Sequence, residues 1–378
     1  MSQRPAILLL AFSLAACGGA GSGDDTSAGL AAWLGETADS GEFARATAVR
    51  DFEFPADHGP HPRYRTEWWY YTGNLSGRDG RHFGFQLTFF RFALPATAGT
   101  GGSAWASDQV WMAHLALTDT AAERFQAFER FERGALGMAG ATAAPVRVWL
   151  HDWSATGQAD SLLPVTLSAA AGDVGIELTL DGRRPVVLQG DRGLDAKGPE
   201  PGNASYYYSL TRLDARGTVT TGDGEHAVSG SAWLDREWST SVLGDDVAGW
   251  DWFAIQLDDG HDIMLYRLRL RQGGKSPFSG GVVVAPSGDV RLRLTARDFE
   301  AEPGRVWRSD ATGARYPVEW RLAIPALDAS LTLAARLDQQ ELDLSVRYWE
   351  GAMTVTGRVD GAPVTGVAYT ELAGPRAQ

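Results

Sequence analysis

Along this chain, apolar and polar positions alternate in short segments, and a turn signal closes each one. Residues 82–90, 110–117 and 175–180 carry the period-two pattern or the β-branched and aromatic content of strands. Asp-Gly pairs stand at Asp79-Gly80, Asp181-Gly182, Asp223-Gly224, Asp259-Gly260 and Asp360-Gly361, where tight hairpins need the positive φ that glycine accepts. This rhythm predicts an all-β fold built from antiparallel sheets or barrels. The best helical candidate is residues 121–133, with Phe125, Phe128 and Phe131 three apart, although the same stretch also reads as an irregular strand. A second series of strands begins around Trp238 and continues through residues 263–269, 281–284, 290–294 and 342–346.

The ends set the boundaries. Arg4 precedes an apolar run over residues 6–16 that is too short to cross a bilayer and reads as an export signal. Its end, Leu14-Ala15-Ala16-Cys17, matches a bacterial lipobox, so residues 1–17 form a lipoprotein signal peptide and Cys17 takes the lipid. Cys17 is the single cysteine, which rules out an internal disulfide. Residues 18–47 are rich in Gly, Ser, Ala and acid and act as a flexible linker. About 330 residues remain, enough for two domains, set at residues 48–237 and 238–378. Gly18 after Cys17 points, under the Gram-negative sorting rule, to an outer-membrane lipoprotein of the cell envelope that faces the periplasm.

The formal charge is −13, and removing Arg4 with the signal makes it −13 − 1 = −14, which excludes nucleic acid as a partner. Fourteen tryptophans exceed what a core needs and suggest a binding cleft. In the strand around residues 66–75, alternation puts Glu67, Trp69 and Tyr71 on one face and Trp68, Tyr70 and Thr72 on the other. If the first face lines a dry barrel, Glu67 becomes an acid among rings; otherwise it pairs with an arginine such as Arg63 or Arg65. Trp233-Leu234-Asp235-Arg236-Glu237-Trp238-Ser239 puts Asp235 and Glu237 on one face and Arg236 and Trp238 on the other, while Trp250 and Trp252 share a face opposite Asp251. These residues predict a Trp-walled, acid-bearing pocket whose rings can shelter a cation, with a buried ion-pair network as the alternative. His58 and His61 lack a third ligand nearby, so neither metal nor cofactor is expected, and His114 reads as a core histidine. There is no Gly-x-Ser-x-Gly elbow or Walker loop, which argues against an α/β-hydrolase.

The strings at residues 61–75, 87–91, 232–238, 249–253 and 348–351 resemble the AttH-domain family, which includes carotenoid 1,2-hydratase and many exported proteins described as secreted hydrolases. The resemblance covers residues 48–372 and implies two lipocalin-like β-barrel domains in tandem, the second starting near Asp235-Arg236-Glu237-Trp238. The hydratase branch has His and Asn in place of Arg236 and Glu237, so Asp235 and Trp238 are what carries over. Tyr266-Arg267-Leu268 keeps the tyrosine of that branch's Tyr-x-Asp element and lacks its acid. Two functions are consistent with this. One is a membrane-held binder of a hydrophobic molecule, a lipid or isoprenoid, working with an ABC-type transport system. The other is a hydratase or hydrolase in which Asp235 or Glu237 supplies the proton, Trp238, Trp250 and Trp252 shelter the cation, and Tyr266 orients water.

Overall fold

The computed structural model describes residues 43–94, 106–240 and 243–374. The signal peptide, Cys17 and the linker up to residue 42 lie outside the described residues. Two large antiparallel sheets form the protein, and among the described residues there is no α-helix. The first sheet runs, neighbour by neighbour, from Arg124–Arg133 through Gln109–Asp119, His82–Ala93, Thr66–Gly77, Gly224–Ser239, Ala204–Thr221 and Val174–Asp181 to the short strands between Ala139 and Ala171. It curls back on itself: Arg130, on the outermost strand, donates to the Ala170 carbonyl at 3.1 Å and pairs with Asp152. The second sheet is a half-barrel from Val290–Thr295 through Asp262–Leu270, Val247–Leu257, Ala362–Ala373 and Arg347–Val359 to Glu300–Pro303. The first ends at Ser239 and the second begins at Val247.

Each barrel is packed by the inward residues of its strands, around Trp69, Phe85, Trp111 and Trp153 in the first and Phe253, Trp320 and Trp349 in the second. The turn at Asp360-Gly361, with φ +48 and +75, has the two left-handed positions of a type I′ hairpin. It sets the register in which Glu350 stands opposite Glu371.

The 121–133 segment is a strand rather than a helix: Arg124–Arg133 pairs along Gln109–Asp119. A spacing of three puts Phe125 and Phe131 on one side of a strand and Phe128 on the other. Phe128 accordingly packs on the first barrel's core, and Phe125 on a cluster shared with the second domain. Hydrogen bonds to a long neighbouring strand and the packing of Phe128 and Phe125 on opposite sides outweigh the helical spacing.

The outer faces of the two sheets lie against each other. Asp262 receives Arg212 and Arg184 and accepts a bond from Thr211 at 2.8 Å, while the Gln256 amide donates to the carbonyls of Thr211 and Ala232 at 2.8 and 3.0 Å. Gly84 lets the sheets meet, since a Cβ there would lie 2.6 Å from Ala352 Cβ. Gly84→Val is therefore expected to wedge the domains apart and cost roughly 1–3 kcal/mol, seen as a lower thermal midpoint; an unchanged midpoint would show that the contact is slack.

Candidate active site

Between the two domains lies a cavity whose empty space, open mouth included, is about 850 Å³. The first domain contributes Trp68, Tyr70, Phe90, His114, Lys197, Tyr207, Asp235 and Glu237, and the second Trp250, Trp252, Tyr266, Tyr348, Glu350 and Glu371. Strand register explains the set. Tyr70 stands opposite Asp235 and Trp68 opposite Glu237, while Trp252 stands between Glu371 and Tyr266. Each sheet therefore turns alternate residues of its central strands toward the other.

Of the residues singled out from the sequence, Asp235, Glu237, Trp250, Trp252 and Tyr266 meet in this cavity. Glu67, Trp69, Tyr71 and Trp238 do not. Trp69 and Tyr71 are inside the filled first barrel, where Trp69 stacks on Trp111 at 5.9 Å. Trp238 packs on the far side of its strand against His61, ring on ring at 3.7 Å and 5°. Glu67 is fully buried and bound by Arg91 and Arg236, not by Arg63 or Arg65, and the His61 amide donates to it at 3.0 Å. Burial opposes its charge, but Arg236 and Arg91 win and hold it well below the usual carboxylate range. Glu67 is thus a permanent anion fixing two buried guanidiniums. The pocket expected inside a barrel lies between the barrels, because the Trp68–Tyr70 face of that strand is the one turned outward. His58 contacts Tyr208 at 2.6 Å and His61 contacts Asp57 at 3.0 Å.

The cavity's four carboxyl groups are held differently. Asp235 accepts bonds from Ser209, Tyr207 and the Trp233 indole, the last at 2.7 Å, and Trp252 supports Tyr207 at 3.1 Å. Burial outweighs these donors and pushes Asp235 up to about 7. Glu237 is raised by burial against the pull of Lys197, whose ammonium is 3.5 Å away. Asp195 and Glu237 together offset the burial of Lys197 and keep it charged, seated 4.2 Å over the Tyr266 ring. The Tyr266 hydroxyl donates to Asp195 at 2.7 Å, so its bond goes to the lysine's counter-ion. Across the cavity, Glu350 accepts from Tyr70 while its Oε2 has no hydrogen-bond partner. Burial and then the neighbouring Glu371 push it far up, and burial raises Glu371 as well. Two like groups on paired strands cannot both ionise in a dry site.

Asp235 ties the site to stability. Below about pH 4 both folded and unfolded chains carry its proton; from there to about 7 the folded chain alone does, so stability falls as pH rises through that window. Asp235→Asn is expected to flatten this loss in denaturant titrations taken across the window. A variant with the wild-type slope would mean the group is ionised throughout.

Glu350, Glu371, Lys197, Asp195 and Tyr207 were not singled out from the sequence. Glu350 lies in the Tyr348-Trp349-Glu350-Gly351 string, but its partner is 21 residues on and meets it only through the hairpin. Lys197 sits in a Gly- and Pro-rich segment that reads as plain loop.

Fold and site together define a class: a two-domain, lipocalin-like β-protein with a tryptophan- and carboxyl-lined cavity between its domains. Residues 45–375 match the AttH-like family, and the chain belongs to it. A crystal structure of an AttH protein from Nitrosomonas europaea superposes with a TM-score of 0.78 and 36% identity, over 88% of this chain and 100% of that one. Kievitone hydratase of Nectria haematococca shares the fold at a TM-score of 0.67 and 15% identity, over 88% and 95%. A dehydratase of Emericella nidulans is 20% identical over 231 residues, which are 56% of this chain and 62% of that protein, so the chain spans less than two thirds of that relative.

Proposed function

We propose that this protein adds water to, or removes it from, an uncharged and largely apolar molecule held between its domains. The observation that carries this is the opposition of two kinds of carboxyl group across one aromatic cavity. Glu350, with an oxygen free of bonds and Glu371 beside it, is the proton donor. Asp235, whose ionised form three donors already solvate, is the acceptor that activates water; environments that push two carboxyl groups apart set such roles. In hydration the Glu350 carboxyl gives its proton to an alkene carbon, the cation faces Trp68, Trp250 and Trp252, and water adds as Asp235 takes its proton. Dehydration runs the same steps backward. Hydratase and dehydratase relatives support this reading over one of carriage alone. The lipobox at Cys17 supports placing the activity on a membrane of the cell envelope, where a hydrophobic substrate partitions.

A lipophilic tertiary amine imitates the cation and tests the site without its substrate. Calorimetry is expected to show binding that tightens as the carboxyl groups ionise, and that weakens about tenfold, or 1.4 kcal/mol, in Glu350→Gln/Glu371→Gln. Equal binding by wild type and double variant would remove the cation-sheltering role.

A further inference from the structure

Glu350 is fully buried, so while a ligand occupies the cavity a second route to solvent would let it recover a lost proton. His114, fully buried on the Gln109–Asp119 strand, joins both domains. Its Nδ1 is 2.6 Å from the Tyr348 hydroxyl, and its Nε2 is 3.1 Å from Glu129 Oε2. Tyr348 is in turn two residues from Glu350 on the same face of Arg347–Val359, and both line the cavity. Glu129 sits at the other end on the edge strand, with 15% of its side chain exposed, and receives Ser345 Oγ. The Phe90 ring lies 5.4 Å from the imidazole.

We infer that Glu129, His114 and Tyr348 form a proton relay that recharges Glu350 from solvent while the cavity is occupied. This rests on the proposed role of Glu350. The step balances: a protonated Glu129 gives its proton to Nε2 of His114, the imidazole passes its Nδ1 proton to the Tyr348 oxygen, and Tyr348 passes its own to Glu350. Glu129 ends ionised, Glu350 ends protonated, His114 changes tautomer, and Tyr348 is restored. Both ring nitrogens of His114 have a partner, and a tyrosine hydroxyl can accept and donate at once, as such a chain needs. The surface end of the chain is held across the strand pair, where Glu129 stands opposite His114.

The test needs no substrate. In the full chain, infrared spectroscopy reads the carbonyl stretch of protonated carboxyl groups; the band lost in Glu350→Gln is Glu350's. With the cavity filled by a neutral alkane-diol probe, transfer to deuterated buffer shifts that band at the rate of proton exchange. Exchange is expected to slow at least about tenfold in His114→Gln and in Glu129→Gln, and added imidazole is expected to restore it in His114→Gln. Unchanged exchange in Glu129→Gln overturns the relay while leaving the acid role of Glu350 intact. If Glu350→Gln removes no band, the acid role and the relay fall together.

Discussion

Glu67→Ala is expected to destabilise the protein by about 3–5 kcal/mol, the usual cost of stranding buried charge. Arg91 and Arg236 are both fully buried and both depend on this one carboxylate. Neither can turn to solvent: Arg91 also holds the carbonyls of His61 and Tyr64 at 2.9 and 2.7 Å, and Arg236 lies 3.8 Å over the Trp69 ring. The pH dependence has the opposite sign to that of Asp235. Because the folded chain depresses this acid, its contribution is complete above the ordinary carboxyl range and is lost as pH falls below it. Denaturant titration at neutral pH and at pH ~3 reads both effects. A loss below about 1 kcal/mol would place this pair among ordinary surface ion pairs.

The largest effect on turnover is expected from Glu350→Gln, a fall of about 10²–10⁴ fold. Its stability should hold or rise, since the substitution removes one of two buried acids that repel each other. This separates a catalytic group from a structural one: Glu67 costs stability, and Glu350 costs rate. Asp235→Asn is expected to lower turnover to a similar degree. The wild-type rate should rise as pH climbs toward about 7, where Asp235 ionises, and fall again where Glu350 loses its proton. Steady-state rates across this range check the bell shape, and a rate independent of pH would speak against carboxyl chemistry.

Much of this site was legible in the sequence. Alternation alone put Asp235 with Glu237 and Trp250 with Trp252 on shared faces, because both strands are regular over those residues. For residues 66–75 the same rule divided the strand correctly into two faces without saying which one a ligand meets. Both faces are apolar and buried, one against a barrel core and one against a second domain, and a period of two carries no sign. Glu350 and Glu371 were out of reach for another reason. Each is a single acid in an ordinary strand, and they become a pair through the turn at Asp360-Gly361, then a site through the packing of one sheet on another. The three phenylalanines of residues 125–131 show the limit of spacing, since a repeat of three fits a helix face and also the two sides of an edge strand.

If water is added or removed between the domains, solvent oxygen must exchange into the bound ligand. The protein would be purified with its natural ligand, the ligand identified by organic extraction and mass spectrometry, and the complex incubated in ¹⁸O-labelled water. The expected ligand is a neutral, mostly apolar molecule whose hydroxyl oxygen is replaced by the label in the presence of wild-type protein, and is not replaced with Glu350→Gln or Asp235→Asn. A ligand that keeps its oxygen with wild-type protein, or exchanges it equally with all three, would contradict the proposed reaction.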